Sequence, residues 1–304
     1  MSLRTHRRTV TTGAAHRAAA PPAGEARTPV AFRWDVAVAV LVLAASLAGL
    51  LLDDAFSSDT ATTAMLRGYD LVNLVVVVPS LIAAVWWAQR RTGLPQLLTS
   101  SLLAYIVYTY GYHLLGTMFN DLFLLHAAVV ASGAVALTAH LSILDVHEFD
   151  VRVQNRRRVR ASAAVLGLLA AALAALWAYV AMESAITGTV PAGSALVETD
   201  TLVHLGMALD LVLLVPLYAG AAVLLWRGAA WGFVLGTIAL IAGVLHQVSY
   251  MVAMPFQVAS SVPGAVAFDP GEPLIVMLYL VGLWLLLGGH RLPLADRDPA
   301  STHD

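Results

Sequence analysis

Seven side chains in this apolar chain have the chemistry to hold a cation or pass a proton: Asp70, Asn73, Tyr108, His204, Asp210, His246 and Tyr250. Asp210 is the sharpest of them, because it lies inside the run "LDLVLLVPLYAGAAVLLWR". An aspartate well inside a membrane helix costs about 2.5–3.5 kcal/mol on insertion scales, so it turns inward and finds a partner or keeps its proton. His246 falls at a compatible depth on the next apolar run, and a short connection makes the two runs neighbours. An Asp210–His246 contact is therefore expected, and such a pair would exchange a proton as a site fills. Asn73 occupies the matching place in "YDLVNLVVVVPSLIAAVWW", where Asp70 has Arg67 as a same-face partner three residues earlier. Tyr105, Tyr108 and Tyr112 share one helical face, Tyr250 follows His246 by four residues, and Asp200 precedes His204 by four, where it would orient the ring. Glu272 opens the last apolar run.

His113, His126, His204 and His246 offer a second chemistry, since imidazole pairs ligate haem iron. No two of them share a ligand-like spacing on one helix. His113, His126 and His204 also lie within two turns of a predicted surface, where each would reach interfacial water.

These residues need a frame. Of 304 residues, 59% are hydrophobic and 12% charged, against about 25% charged in a soluble domain. Apolar runs long enough to cross a bilayer recur, so the predicted fold is all-α and polytopic. Eight helices are expected, at 34–52, 69–88, 96–116, 121–143, 161–182, 201–226, 231–254 and 273–289. The arginines fall in alternate connections, sixteen on one side against Arg67 on the other. Positive residues stay on the cytoplasmic side, which predicts both termini inside. The basic segment 1–33 reads as a disordered cytoplasmic tail that sets topology, and 290–304 as a second tail. A signal peptide is the alternative for the first apolar run, but Asp53 and Asp54 follow it where small residues would be required.

A shift of 137 residues lays Asn73 on Asp210, Pro79 on Pro216 and Arg90 on Arg227. Each proline falls in the second helix of a group of four. Units 34–160 and 161–289 therefore read as parallel repeats about an axis along the membrane normal. A mid-helix proline strips the carbonyl four residues earlier of its donor, here Val75 and Val212. Paired kinks would open an outward-facing polar crevice between the units. Gly232 and Gly236, four apart, read as a helix contact.

Several functions are excluded. Without cysteine there is no disulfide, iron–sulfur cluster or thiolate metal site. All 17 basic residues are arginine, so neither a retinal Schiff base nor a Walker A loop is available. The first reading is binding or transport of a small solute or cation, with the lipid bilayer and a solute or proton as partners and no nucleic acid. The alternatives are a haem- or metal-binding membrane oxidoreductase and a non-catalytic assembly or regulatory component; an enzyme is the less favoured reading.

"LVNLVVVVP", the tyrosine face of the third run and "FNDLFLLH" resemble an uncharacterised group of bacterial multi-pass membrane proteins. That resemblance implies a multi-pass architecture in a bacterial inner membrane and no activity. The duplicated eight-span plan also looks like that of the haem A synthases, but their placement of Glu and His is absent, so no residue roles carry over.

Overall fold

A chain without access to water must close its backbone hydrogen bonds within itself, and these apolar runs do so as helices. The computed structural model describes residues 23–53, 55–149, 155–191 and 194–288, with side chains from residue 31 onward. Residues 1–22 and 290–304 of the predicted tails, residue 289 at the end of the last predicted helix, and 150–154 of the charged connection lie outside the described residues.

Counting each interrupted helix once, the described residues form α1 (Ala23–Leu51), α2 (Thr60–Ala88), α3 (Leu94–Leu115) and α4 (Phe123–Ile143). They continue as α5 (Arg156–Thr187), α6 (Asp200–Arg227), α7 (Ala230–Ala259) and α8 (Gly271–Leu287). Six of these helices, all but α3 and α8, are long and apolar enough to cross a membrane, which makes the molecule compatible with a polytopic membrane protein.

α8 has 17 residues. α3 is polar because it is central, and nearly its whole length is buried. Its Thr99, Ser100 and Ser101 hydroxyls donate to the carbonyls of Pro95, Gln96 and Leu97 at 3.0, 2.8 and 2.8 Å. Those back-bonds satisfy polar groups that have no water to turn to.

Three helices start earlier than their apolar runs. α1 begins at Ala23, inside the segment expected to be tail, because helix formers precede the apolar stretch. α2 begins at Thr60, where Asp59 caps the Thr62 amide at 2.9 Å and its hydroxyl at 2.6 Å. α5 begins at Arg156, with Asn155 capping the Arg157 amide at 3.1 Å.

α1–α4 form one closed bundle around Val42, Val77, Leu81, Leu103, Ile106 and Val129. α5–α8 form another around Leu166, Ala221, Phe233, Leu240 and Leu286. The bundles meet mainly where α7 packs along α2 and α3, whereas α3 and α6 touch only briefly. Gly68 makes the α2–α7 approach achievable, since a Cβ there would lie 2.5 Å from the Ala253 Cα. Gly232 does the same against the backbone of α6, and Gly236 packs on Leu225, Leu166 and Leu286, so this pair does serve helix contact.

α2 runs antiparallel to α7, as the Gln257 amide near the end of α7 donates to the Ala61 carbonyl near the start of α2. α2 and α6 therefore end on one face of the molecule. On that face Arg90 stacks on Trp86, Arg158 on Trp284 and Arg160 on Trp226, with the guanidinium carbon 3.4, 4.4 and 5.4 Å from the ring centre. Paired cationic and indole groups at helix ends mark the kind of boundary where lipid gives way to water.

Candidate functional site

The prolines act where expected, and the backbone relieves them in the same way twice. Asn73–Val77 and Asp210–Leu214 are each five-residue π-helical segments just ahead of Pro79 and Pro216. The amide of Val78 bonds the carbonyl of Asn73, and that of Val215 the carbonyl of Asp210. One wide turn absorbs the break in the ladder that proline imposes. It leaves Val75 and Val212 facing outward and turns Asn73 and Asp210 into the protein.

Asp210 is 8% exposed and turned into the protein. Its carboxylate accepts hydrogen bonds from the Tyr108 hydroxyl of α3 and, at 2.8 Å, from the Trp177 indole of α5. The expected bond to His246 is not the one formed. Instead the His246 ring sits among Tyr69, Tyr108 and Tyr112, with ring centres 6.0, 5.1 and 6.1 Å away. Its Nδ1 is buried without a partner.

Asp210 and His246 are nevertheless brought together, because both line a cavity of about 210 Å³. Its walls come from α5, α6, α7 and α8, with Tyr69 of α2 and Tyr112 of α3 closing it from the first bundle. It is thus set in the second bundle more than along the seam. Glu198 and Glu272 also line it, as do Tyr250 and Tyr279, and no arginine does. Gln247 donates to Glu272.

The segment before α6 lies over this cavity and is held by α7. The Leu196 amide donates to the Tyr250 hydroxyl at 3.0 Å, and the Val197 amide to Gln257 Oε1 at 2.9 Å. Gln257 Nε2 returns a bond to the Val197 carbonyl at 2.7 Å. Ser194 donates to Glu198 at 2.8 Å. Burial raises the Glu198 carboxyl above the usual glutamate range, and the nearby Asp210 charge adds to it against the Ser194 bond.

In the first bundle the equivalent depth is closed. Asn73 accepts from the Tyr105 hydroxyl at 3.1 Å, and Tyr105 is 2.7 Å from Ser249 of α7. Asp70 does not pair with Arg67, which instead donates to the carbonyls of Gly49, Leu52 and Asp53. Asp70 is fully buried and faces His113 Nε2 at 3.3 Å. The missing side chain of Gly49 makes room for it, since a Cβ there would lie 2.0 Å from Asp70 Oδ2.

His113 and His126, expected to reach water, are both fully buried, 5.3 Å apart by ring centres and packed on Phe56 and Tyr110. The "TMFND" turn between them is pinned by the Asn120 amide on the Thr117 hydroxyl at 2.9 Å. His113 Nδ1 lies 3.1 Å from the Thr109 carbonyl of its own helix, which fixes the ring with Nε2 toward Asp70. The Asp200–His204 pair stays exposed at the start of α6 and does not join the cavity.

The four imidazoles do not converge. His113 and His126 pack on each other, leaving no slot between them for a porphyrin. His246 is the single imidazole lining the cavity, and His204 lies outside it. Among the described residues no three His, Asp or Glu side chains gather as a metal set.

Sequence reasoning missed Trp177, Glu198, Gln247 and Gln257, whose roles depend on which way each helix faces. It also missed a buried pair near the opposite end, where Asp35 and His140 Nε2 meet at 2.9 Å. An aspartate in the first apolar helix was the available signal. A scan against protein-family models and searches of curated proteins and solved structures gave no match.

Proposed function

We propose that the cavity of α5–α8 binds a small organic cation, with an ammonium group as the favoured head, and passes it across the bilayer in exchange for a proton. The observation that carries this reading is the cavity's composition. Asp210, Glu198 and Glu272 face one space of about 210 Å³ that holds no arginine and is walled by Tyr69, Tyr112, Trp177, Tyr250 and Tyr279. Carboxylates inside low-dielectric walls concentrate a negative potential, and aromatic faces attract a desolvated ammonium. A space of about 210 Å³ suits a compact solute.

Asp210 and His246 supply the exchange. Entry of the cation favours a carboxylate at Asp210, and the unpartnered Nδ1 of His246, which lines the same cavity, would receive the displaced proton. The wide turns at Asn73 and Asp210 give α2 and α6 a common place to bend.

This reading takes α3 and α8 as spans too, giving eight spans in two parallel repeats with both termini inside a bacterial inner membrane. The paired π segments at a constant offset support the duplication. The Arg–Trp contacts on one face support the orientation. The opposing mouth, beneath Glu198 and Glu272, then faces outward.

The test is uptake of labelled tetramethylammonium by proteoliposomes under an outward proton gradient. Saturable uptake that collapses with the gradient and is lost in Asp210→Asn is expected. Uptake no greater than in protein-free vesicles would remove the transport reading.

A further inference from the structure

We propose that a second pocket, on the arginine-bearing face between the start of α5 and the end of α6, holds the phosphate of an anionic phospholipid. Arg156, Arg160 and Arg227 line a space of about 170 Å³ whose floor is the buried pair Val159 and Leu225. Trp226 forms its flank, exposed and under the Arg160 guanidinium.

Three guanidinium groups around one hollow repel each other unless an anion joins them. Among the described residues no carboxylate forms an ion pair with any of the three. Their neighbour Arg158 is engaged differently, bonded to the Gly288 carbonyl and stacked on Trp284. Guanidinium forks match phosphate oxygens, so phosphate is the group this hollow fits.

The surroundings select a lipid as its source. Val223 and Trp226 are both exposed on the same end of α6, so an apolar flank leads directly away from the arginines. A ligand seated here has its phosphate among guanidinium groups and its acyl chains along that flank. Soluble phosphate would gain nothing from it. Basic pockets between helices at the positive boundary are suited to such head groups.

The full chain in nanodiscs tests this. Thermal unfolding is compared in phosphatidylcholine and in an equimolar mixture with phosphatidylglycerol, and native mass spectrometry counts retained lipid. Phosphatidylglycerol is expected to stabilise the protein and to stay bound. Arg160→Gln and Arg227→Gln should each weaken retention about fivefold, while Arg157→Gln, which lies outside the pocket, leaves it unchanged. Equal losses from all three variants would reduce the effect to diffuse surface charge and overturn the site. Stabilisation by inorganic phosphate alone, with no preference for phosphatidylglycerol, would overturn the lipid as occupant.

Discussion

The two bundles carry the same bent helix and use it oppositely. In α1–α4 the wide turn presents a neutral amide, Asn73, held by Tyr105. The nearby acid, Asp70, is sealed against His113, Gly49 and Phe56. In α5–α8 the turn presents a carboxylate, Asp210, beside open space and two further acids. A buried acid matched by one imidazole builds structure, because its charge is answered inside the protein. An acid whose neighbours are other acids and aromatic faces has no such answer within the protein, and this is what the proposed cation site rests on. Backbone geometry is shared, and the side chain at one register position separates a closed core from a candidate site.

The contrast predicts opposite responses to mutation. The largest effect is expected for His113→Ala, which leaves Asp70 buried without a counter-group and should cost about 3–5 kcal/mol in unfolding free energy. Replacing Asp70 and His113 together by leucine should recover most of that loss. Asp210→Asn should change stability by less than about 1 kcal/mol, since its amide still accepts from Tyr108 or Trp177 and the cavity admits water. Equal destabilisation by His113→Ala and Asp210→Asn would erase the distinction between the bundles.

A glycine pair sharpens the same point. Gly49→Ala drives a methyl into Asp70 and the Phe56 ring, and overpacking of that kind costs about 1–3 kcal/mol. Gly206→Ala meets nothing closer than the Tyr112 hydroxyl at 3.1 Å, with the Trp177 ring at an ordinary 3.8 Å, and should cost less than half as much. Chemical denaturation of both variants in detergent measures the difference. Tyr105→Phe removes the hydroxyl that joins α3 to Asn73 and Ser249, at about 1–2 kcal/mol by the same assay.

The smallest effect concerns pH. Because the folded protein raises Glu198, it binds that proton more tightly than the unfolded chain does. Stability from this group is therefore complete below the ordinary glutamate value of about 4.3 and declines as pH rises through the folded value. Glu198→Gln should raise thermal stability at neutral pH by up to about 1 kcal/mol and leave it unchanged in acid. A gain that grows on acidification would reverse the assigned sign.

Much of the frame was legible because hydrophobicity and proline act locally. The apolar runs located the helices, and Pro79 and Pro216 marked where α2 and α6 bend. The inward turn of Asp210 followed from the cost of a carboxyl in lipid. Partners were not legible, because they depend on helix rotation. Asp70 is three residues from Arg67, yet Arg67 reaches three carbonyls at and just past the end of α1 while Asp70 turns to α3. His113 and His126 looked superficial by distance from the ends of their runs, but Phe56, from the loop after α1, packs on both rings. Depth along a helix is countable from residues; cover from a neighbouring loop is not.

Calorimetric titration of the purified full chain with tetramethylammonium at neutral pH tests the central claim most directly. The account predicts saturable binding that weakens at least about tenfold in Asp210→Asn and is indifferent to the conservative closed-bundle variant Tyr105→Phe. No saturable heat in the wild type, or an undiminished one in Asp210→Asn, would contradict it.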